Sequence, residues 1–322
     1  MANELRTRRE VLAAMAGGIV AAGLSQAAAE TPEADTRLKI CVFSKHFHWT
    51  DWQETAAMAA ELGFDGVDLT VREAGHVLPA KVEQDLPKAV EIIRKAGLAV
   101  PMITAGIVDT SSPNAEAILR TAGGLGIRYY RWGGFRYTYD RALAGQLEDL
   151  KPKVNALAQM NEKYKICAMY HTHSGLGQVG APIWDLWYLI KDLDPRYTGV
   201  NYDVGHATVE GGLSGWVDSL SLVERHLRGI ALKDFKWGKN AKGDWAPQWC
   251  AHGEGMVNFP RFFQMIKAAK FSGPVQMHYE YPGLGGADTG KNKITISKQE
   301  LASIMRRDLQ FIKAQMQKAQ LL

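Results

Sequence analysis

Three short patterns in the chain bring together residue types that bind metals and move protons. His171-Thr172-His173 and His278-Tyr279-Glu280 are i, i+2 pairs, and on a strand such a pair points both side chains to one face. Asp203-Val204-Gly205-His206 sets a carboxylate and an imidazole on either side of a glycine turn. Imidazole and carboxylate ligands with open coordination positions suit a divalent ion: Mn, Co, Zn, Mg or Fe. Taken singly, each pair is equally consistent with a hydrogen-bonded polar cluster. Lys233-Asp234 falls between the second and third patterns and supplies either a base or a lysine paired to its neighbour as scaffold.

Gathering these residues in one place requires a fold that collects the ends of successive strands. Short β-rich runs occur at 38–44, 66–71, 99–104, 128–132, 166–171, 198–203, 229–234 and 275–280. Between them, helical periodicity covers 50–62, 83–96, 114–125, 141–162, 184–191, 216–226, 259–270 and 299–318. Gly63, Gly97 and Gly126 stand just past the first three apolar patterns, as helix C-caps do. Eight such units predict one (β/α)8 TIM barrel, a single domain over 37–322. The glycine fingerprint of a dinucleotide fold does not follow the first run, so a doubly wound sheet loses its main support. In a barrel the chemistry lies at the C-terminal strand ends. Eight of the nine histidines, all but His226, fall there or on the loops that follow.

The 322 residues carry a formal charge of +4 without basic blocks, which gives no case for nucleic acid. Three widely spaced cysteines fit neither a disulfide framework nor a CxxC metal knuckle. The N-terminus reads as something other than fold. Thr7-Arg8-Arg9-Glu10-Val11-Leu12 is a twin-arginine pattern, 12–24 is apolar but short for a membrane span, and Ala27-Ala28-Ala29 offers a cleavage site. We expect a cleavable signal peptide over 1–29, a short linker over 30–36, and a periplasmic or secreted mature chain free of the membrane.

Beyond these patterns, 63–69 (Gly63-Phe64-Asp65-Gly66-Val67-Asp68-Leu69), 202–207 (Tyr202-Asp203-Val204-Gly205-His206-Ala207), Leu232-Lys233-Asp234, 253–259 and His278-Tyr279-Glu280-Tyr281 are familiar together. The sequence resembles the xylose-isomerase-like barrel superfamily of sugar isomerases, ketose 3-epimerases, inosose dehydratases and endonuclease-IV-like proteins. It is most similar to a secreted, sugar phosphate isomerase/epimerase-like subgroup with a His-x-His-Ser-Gly motif, here His171 to Gly175. In the sugar epimerases the resemblance implies a metal held by Glu, Asp, His and Glu from strands five to eight. The Asp matches Asp203 and the last Glu matches Glu280, but the strand-five Glu falls on His171 and the strand-seven His on Ala231. The two-glutamate proton relay of those enzymes therefore does not carry over.

What carries over is proton abstraction next to a carbonyl, with an enediolate stabilised by a divalent ion. The expected ligands are His171, Asp203, Glu280 and His278. Glu280, Lys233 and His206 are the expected catalytic groups. His173, Arg72, His76, Arg131, Trp132 and Trp237 are expected to bind substrate. Trp132, Trp184, Trp187, Trp237, Trp245 and Trp249 lie on or just after strand ends, and aromatic planes suit the C–H faces of sugars. Trp237 and Trp245 flank 238–244, which reads as a loop able to act as a lid. The expected function is a metal-dependent isomerase or epimerase of a small carbohydrate, as a monomer or a homo-oligomer. The alternatives are a lyase or hydratase of a keto-sugar or keto-glycoside, and a non-catalytic carbohydrate-binding barrel.

Overall fold

The computed structural model describes residues 37–322; the twin-arginine motif, the cleavage site and the 30–36 linker lie outside the described residues. From Leu38 onward, strand and helix alternate. The order is β1 (Ile40–Phe43), α1 (Trp52–Leu62), β2 (Gly66–Val71), α2 (Val82–Lys95), β3 (Ala99–Ala105), α3 (Ala115–Gly124), β4 (Tyr129–Trp132), α4 (Leu143–Tyr164), β5 (Cys167–His171) and α5 (Trp184–Ile190). Then come β6 (Thr198–Asp203), α6 (Val204–Gly211), α7 (Gly215–Val223), β7 (Leu227–Leu232), β8 (Asp234–Lys239), β9 (Trp245–Cys250), α8 (Phe259–Ala268), β10 (Val275–Met277) and α9 (Lys298–Lys318). β1 to β7 pair in sequence order, all parallel, and β10 closes the ring between β7 and β1. This is the (β/α)8 barrel that the alternation predicts.

Local chemistry sets the helix ends. The Asp51 carboxylate accepts the Glu54 N–H to start α1, and Ser297 does the same for Glu300 in α9. Gly63 ends α1 at φ 88°, a conformation that a Cβ would strain.

Strand alternation decides what faces the barrel mouth. Tyr130, Tyr202 and Tyr279 point outward and are fully buried, and their hydroxyls donate to Asn161, to the Trp216 carbonyl and to the Met305 carbonyl. Each therefore ties its strand to the surrounding helical layer. Their chain neighbours Arg131, Asp203, His278 and Glu280 must point the other way. Tyr170 and His171 follow the same rule, the Tyr170 hydroxyl donating to the Val179 carbonyl.

Three expectations are corrected. Residues 238–244 are not a long loop: β8 and β9 form an antiparallel hairpin, paired from Asp234↔Cys250 to Lys239↔Trp245, and only 240–244 is turn. α6 was not expected; Asp203 caps it by accepting the His206 N–H, so the strand turns straight into helix. Lys233 is not paired with Asp234. The Asp234 carboxylate instead accepts backbone N–H bonds from Phe235, Gly253, Gly255 and Val257 at 2.9–3.1 Å. A Cβ on Gly255 would lie 2.1 Å from Asp234 Oδ1, so only glycine permits this cradle.

Asp234 thus folds the 251–258 loop under the hairpin. Asp234→Ala strands four N–H groups and is expected to cost about 3 kcal/mol, read as a lower urea midpoint. Asp234→Asn, which keeps one acceptor oxygen, should lose less.

Candidate active site

The side chains at the barrel mouth converge on the Lys233 ammonium. It lies 2.5 Å from Glu280 Oε2, 2.9 Å from His206 Nε2 and 3.4 Å from Asp203 Oδ2, and packs 5.2 Å from the Trp249 ring centroid. A Cβ on Gly205 would come within 2.8 Å of the Lys233 Cβ, so the glycine of the Asp203–His206 turn admits the lysine. Lys45, just past β1, pairs with the other oxygen of Glu280. Because Lys233 donates to His206 Nε2, the Nδ1–H donates to Ser174 Oγ at 2.7 Å, which fixes one neutral tautomer.

These contacts set the charge states. Burial disfavours the Glu280 carboxylate, but Lys233 and Lys45 outweigh it and hold the carboxyl well below its usual range. Burial pushes Lys45 down, and Glu280 opposes that shift. Burial, then Lys233, pushes His206 well down, so its imidazole is neutral at pH 7.

Beside this lysine cluster lies a second group. His171 Nε2, Asp203 Oδ2 and both ring nitrogens of His278 are buried without a hydrogen-bond partner. Ligand atoms of these three residues lie within 4.8 Å of one another. Orphaned buried polar atoms are costly, and three that converge have the composition of a two-histidine, one-carboxylate metal site. Asp203 Oδ2 is near Lys233 in charge but not aligned for a hydrogen bond. Burial pushes both histidines well down, so they are neutral and able to ligate. His171, His173 and His206 form a second trio of the same span, but both nitrogens of His206 are already engaged.

Beneath His171, the amides of Asn201 and Gln276 exchange two hydrogen bonds at 3.0 and 2.9 Å. Turning both amides together keeps that pair and presents the Asn201 oxygen to His171 Nδ1, 3.2 Å away. Nδ1–H then donates, and Nε2 offers the free lone pair that a metal ligand needs. The residues present fit a divalent ion held by His171, Asp203 and His278. Glu280 lies in neither trio; its oxygens go to Lys45 and Lys233.

The remaining expected site residues divide. Arg72, Arg131, Trp132, His171 and His173 line one cleft of about 310 Å³. Trp132 shows the cleft little, being buried with its N–H donated to the Val108 carbonyl. His76 is a correction: it lines a separate cavity with His48, and hydrogen bonds to Thr55, Thr70 and the Phe47 carbonyl hold its ring. Trp237 sits on the exposed hairpin and packs edge-on to Phe235. Sequence reasoning missed Lys45, Ser174, Asn201 and Gln276. Only Ser174 carried a signal, as part of the His-x-His-Ser-Gly motif.

The family described as Xylose isomerase-like TIM barrel matches residues 56–315, and the chain belongs to it. No curated protein matches the sequence. Among solved structures, D-psicose 3-epimerase from Clostridium cellulolyticum H10, with D-tagatose, aligns at 14% identity and TM-score 0.64, covering 87% of this chain and 99% of its own. The 3-keto-D-glucoside 4-epimerase of E. coli aligns at 16% and 0.61, covering 86% and 100%. A xylose isomerase-like barrel protein from Mycobacterium smegmatis, in complex with magnesium, aligns at 17% and 0.60, covering 87% and 98%. At these identities the likeness is one of fold.

The ligand geometry gives a direct expectation. Elemental analysis should find about one divalent ion per chain, lost in Asp203→Ala and His278→Ala and kept in His173→Ala. Asn201→Leu removes the acceptor for His171 Nδ1–H and should weaken the ion's affinity roughly 10–100-fold.

Proposed function

We propose that this member of the xylose isomerase-like barrel family is a metal-dependent isomerase or epimerase of a sugar or keto-sugar. Its chemistry is proton transfer at the carbon next to a carbonyl. One observation carries the reading: three orphaned, buried ligand atoms stand beside an ionised carboxylate clamped between two lysines. The ion held by His171, Asp203 and His278 would supply electrophilic polarisation of a carbonyl and its neighbouring hydroxyl.

The chain's own residues do the rest. Glu280 is ionised at neutral pH and one-quarter exposed, and it takes the proton from carbon by exchanging one of its lysine contacts for the substrate. Lys233 stabilises the oxyanion that forms, and His206, fixed through Ser174, holds the ammonium in place. Return of the proton by Glu280 to the adjacent carbon on the same face is isomerisation. Return on the opposite face, from a second donor, is epimerisation. The solved epimerases of the same fold support this class of reaction. The same proposal takes 1–29 as an export signal, so the sugar is one met outside the cytoplasm.

A second reading, dehydration or hydration, has one observation in its favour. Lys45 and Lys233 both share the Glu280 carboxylate, so proton donors stand beside the base, as loss of a β-oxygen requires.

Glu280→Gln should cut exchange of substrate C–H into deuterated water by roughly 100-fold or more while the ion is retained. Undiminished exchange in a folded variant would remove Glu280 from the reaction. The pH profile has a defined sign. Activity falls as pH drops through the depressed Glu280 value, so the acid limb lies below the ordinary carboxylate range. Lys45→Met withdraws one of the charges that depress it and should move that limb upward by roughly one to three pH units.

A further inference from the structure

We propose that Arg72 and Arg131 form an anion subsite, and that the substrate is a sugar carrying a carboxylate or phosphate group. The sugar half of this statement rests on the reading above; the anion half stands on the arginines themselves.

Arg131 ends β4 pointing inward, and Arg72 follows β2. Both line the cleft that His173 and one member of the metal trio, His171, also line, so a ligand bound to the arginines lies against the edge of the trio. Their guanidinium carbons lie 5.8 and 5.5 Å from the ring centroid of the same residue, Phe43, and Lys45 lies 5.6 Å from it. Both arginines are half-buried, and neither guanidinium has a hydrogen bond or ion pair among the described residues. Lys45, by contrast, is paired with Glu280.

The neighbouring acid makes no ion pair with either of them. Asp68 is fully buried, and its two oxygens accept from Thr104 Oγ1 at 2.9 and 2.8 Å. Burial pushes its carboxyl up to about 6 against the pull of Thr104, Arg131 and Arg72, so Asp68 attracts the guanidiniums through space without contacting them. Lys45, Lys233, Arg72 and Arg131 thus face Asp68, Asp203 and Glu280, and a divalent ion would add two further positive charges. Two half-buried guanidiniums near one ring, neither in an ion pair, are costly without an anion between them. Their planar forks match the oxygens of a carboxylate or a phosphate, with which they form bidentate, charge-assisted hydrogen bonds. A neutral sugar would leave both forks without an ion-pair partner.

The test is calorimetric titration of the full protein with D-fructose, D-fructuronate and D-fructose 6-phosphate, with solvent-deuterium exchange measured on the same ligands. One anionic ketose should bind at least tenfold tighter than fructose, and which one does so separates carboxylate from phosphate. That preference should shrink with added salt and fall below twofold in Arg72→Met and Arg131→Met. Should either variant fail to fold, Arg131→Lys keeps the charge, loses the fork, and should keep only part of the preference. Equal affinity for all three ketoses, or a preference that survives both methionine substitutions, overturns the subsite and leaves the proton-transfer reading standing. An arginine-dependent preference without exchange on any ligand supports the subsite and overturns that reading instead.

Discussion

The Lys233 ammonium is the charge around which the mouth of this barrel is organised. At an effective dielectric constant of about 20, attraction at 2.5 Å and 3.4 Å amounts to about 7 and 5 kcal/mol with Glu280 and Asp203 respectively. Desolvating the buried ions costs several kcal/mol each, so the cluster holds only because its geometry is tight and because Lys45 and the His206 N–H engage the other oxygens of Glu280 and Asp203. Without the lysine, two carboxylates would face each other across the mouth and His206 would lose the donor that fixes its tautomer. The surrounding backbone serves the same end. Gly205 leaves room for the lysine, Trp249 covers it, and the Asp234 cradle anchors the hairpin that carries Trp249.

Much of this was legible because the barrel imposes a simple rule. A residue beside an outward tyrosine must point inward. Tyr130, Tyr170, Tyr202 and Tyr279 mark four strands, and Arg131, His171, Asp203, His278 and Glu280 follow from them. The i, i+2 spacing of His278 and Glu280 was equally informative, although both lie beyond the last residue of β10. The strands that converge on the metal trio were thus identified by pattern alone.

What was not legible depends on contacts between distant parts of the chain. Lys45 meets Glu280 across 235 residues, and no local pattern distinguishes it from a surface lysine. The Asn201–Gln276 pair spans 75 residues, and its amides point to the strand face that only the closed barrel brings together. His76 misled for the complementary reason. It follows a strand, as functional residues do, but the turn after β2 folds it back onto Thr70 and Thr55. The 238–244 segment has loop composition, and pairing with a partner strand overrides that composition.

Ala231 is where the site departs from the four-ligand pattern that the sequence resemblance implies. Asp203 pairs with Ala231 in register, so the alanine stands where a strand-seven histidine would face the trio. A methyl group there neither ligates nor fills the space above it, and Lys233, two residues on, rises on the same side of the strand. The lysine supplies a fixed positive charge in place of one ligand, and it draws Glu280 away from the trio. His171 and His278 then complete the trio with Asp203. A site so rearranged sets a carboxylate and an ammonium side by side, and an ion held by two neutral histidines and one carboxylate would keep a net positive charge. His171 of that trio lines the cleft of Arg72 and Arg131, so on the reading proposed above the two halves of the mouth would act in the same direction.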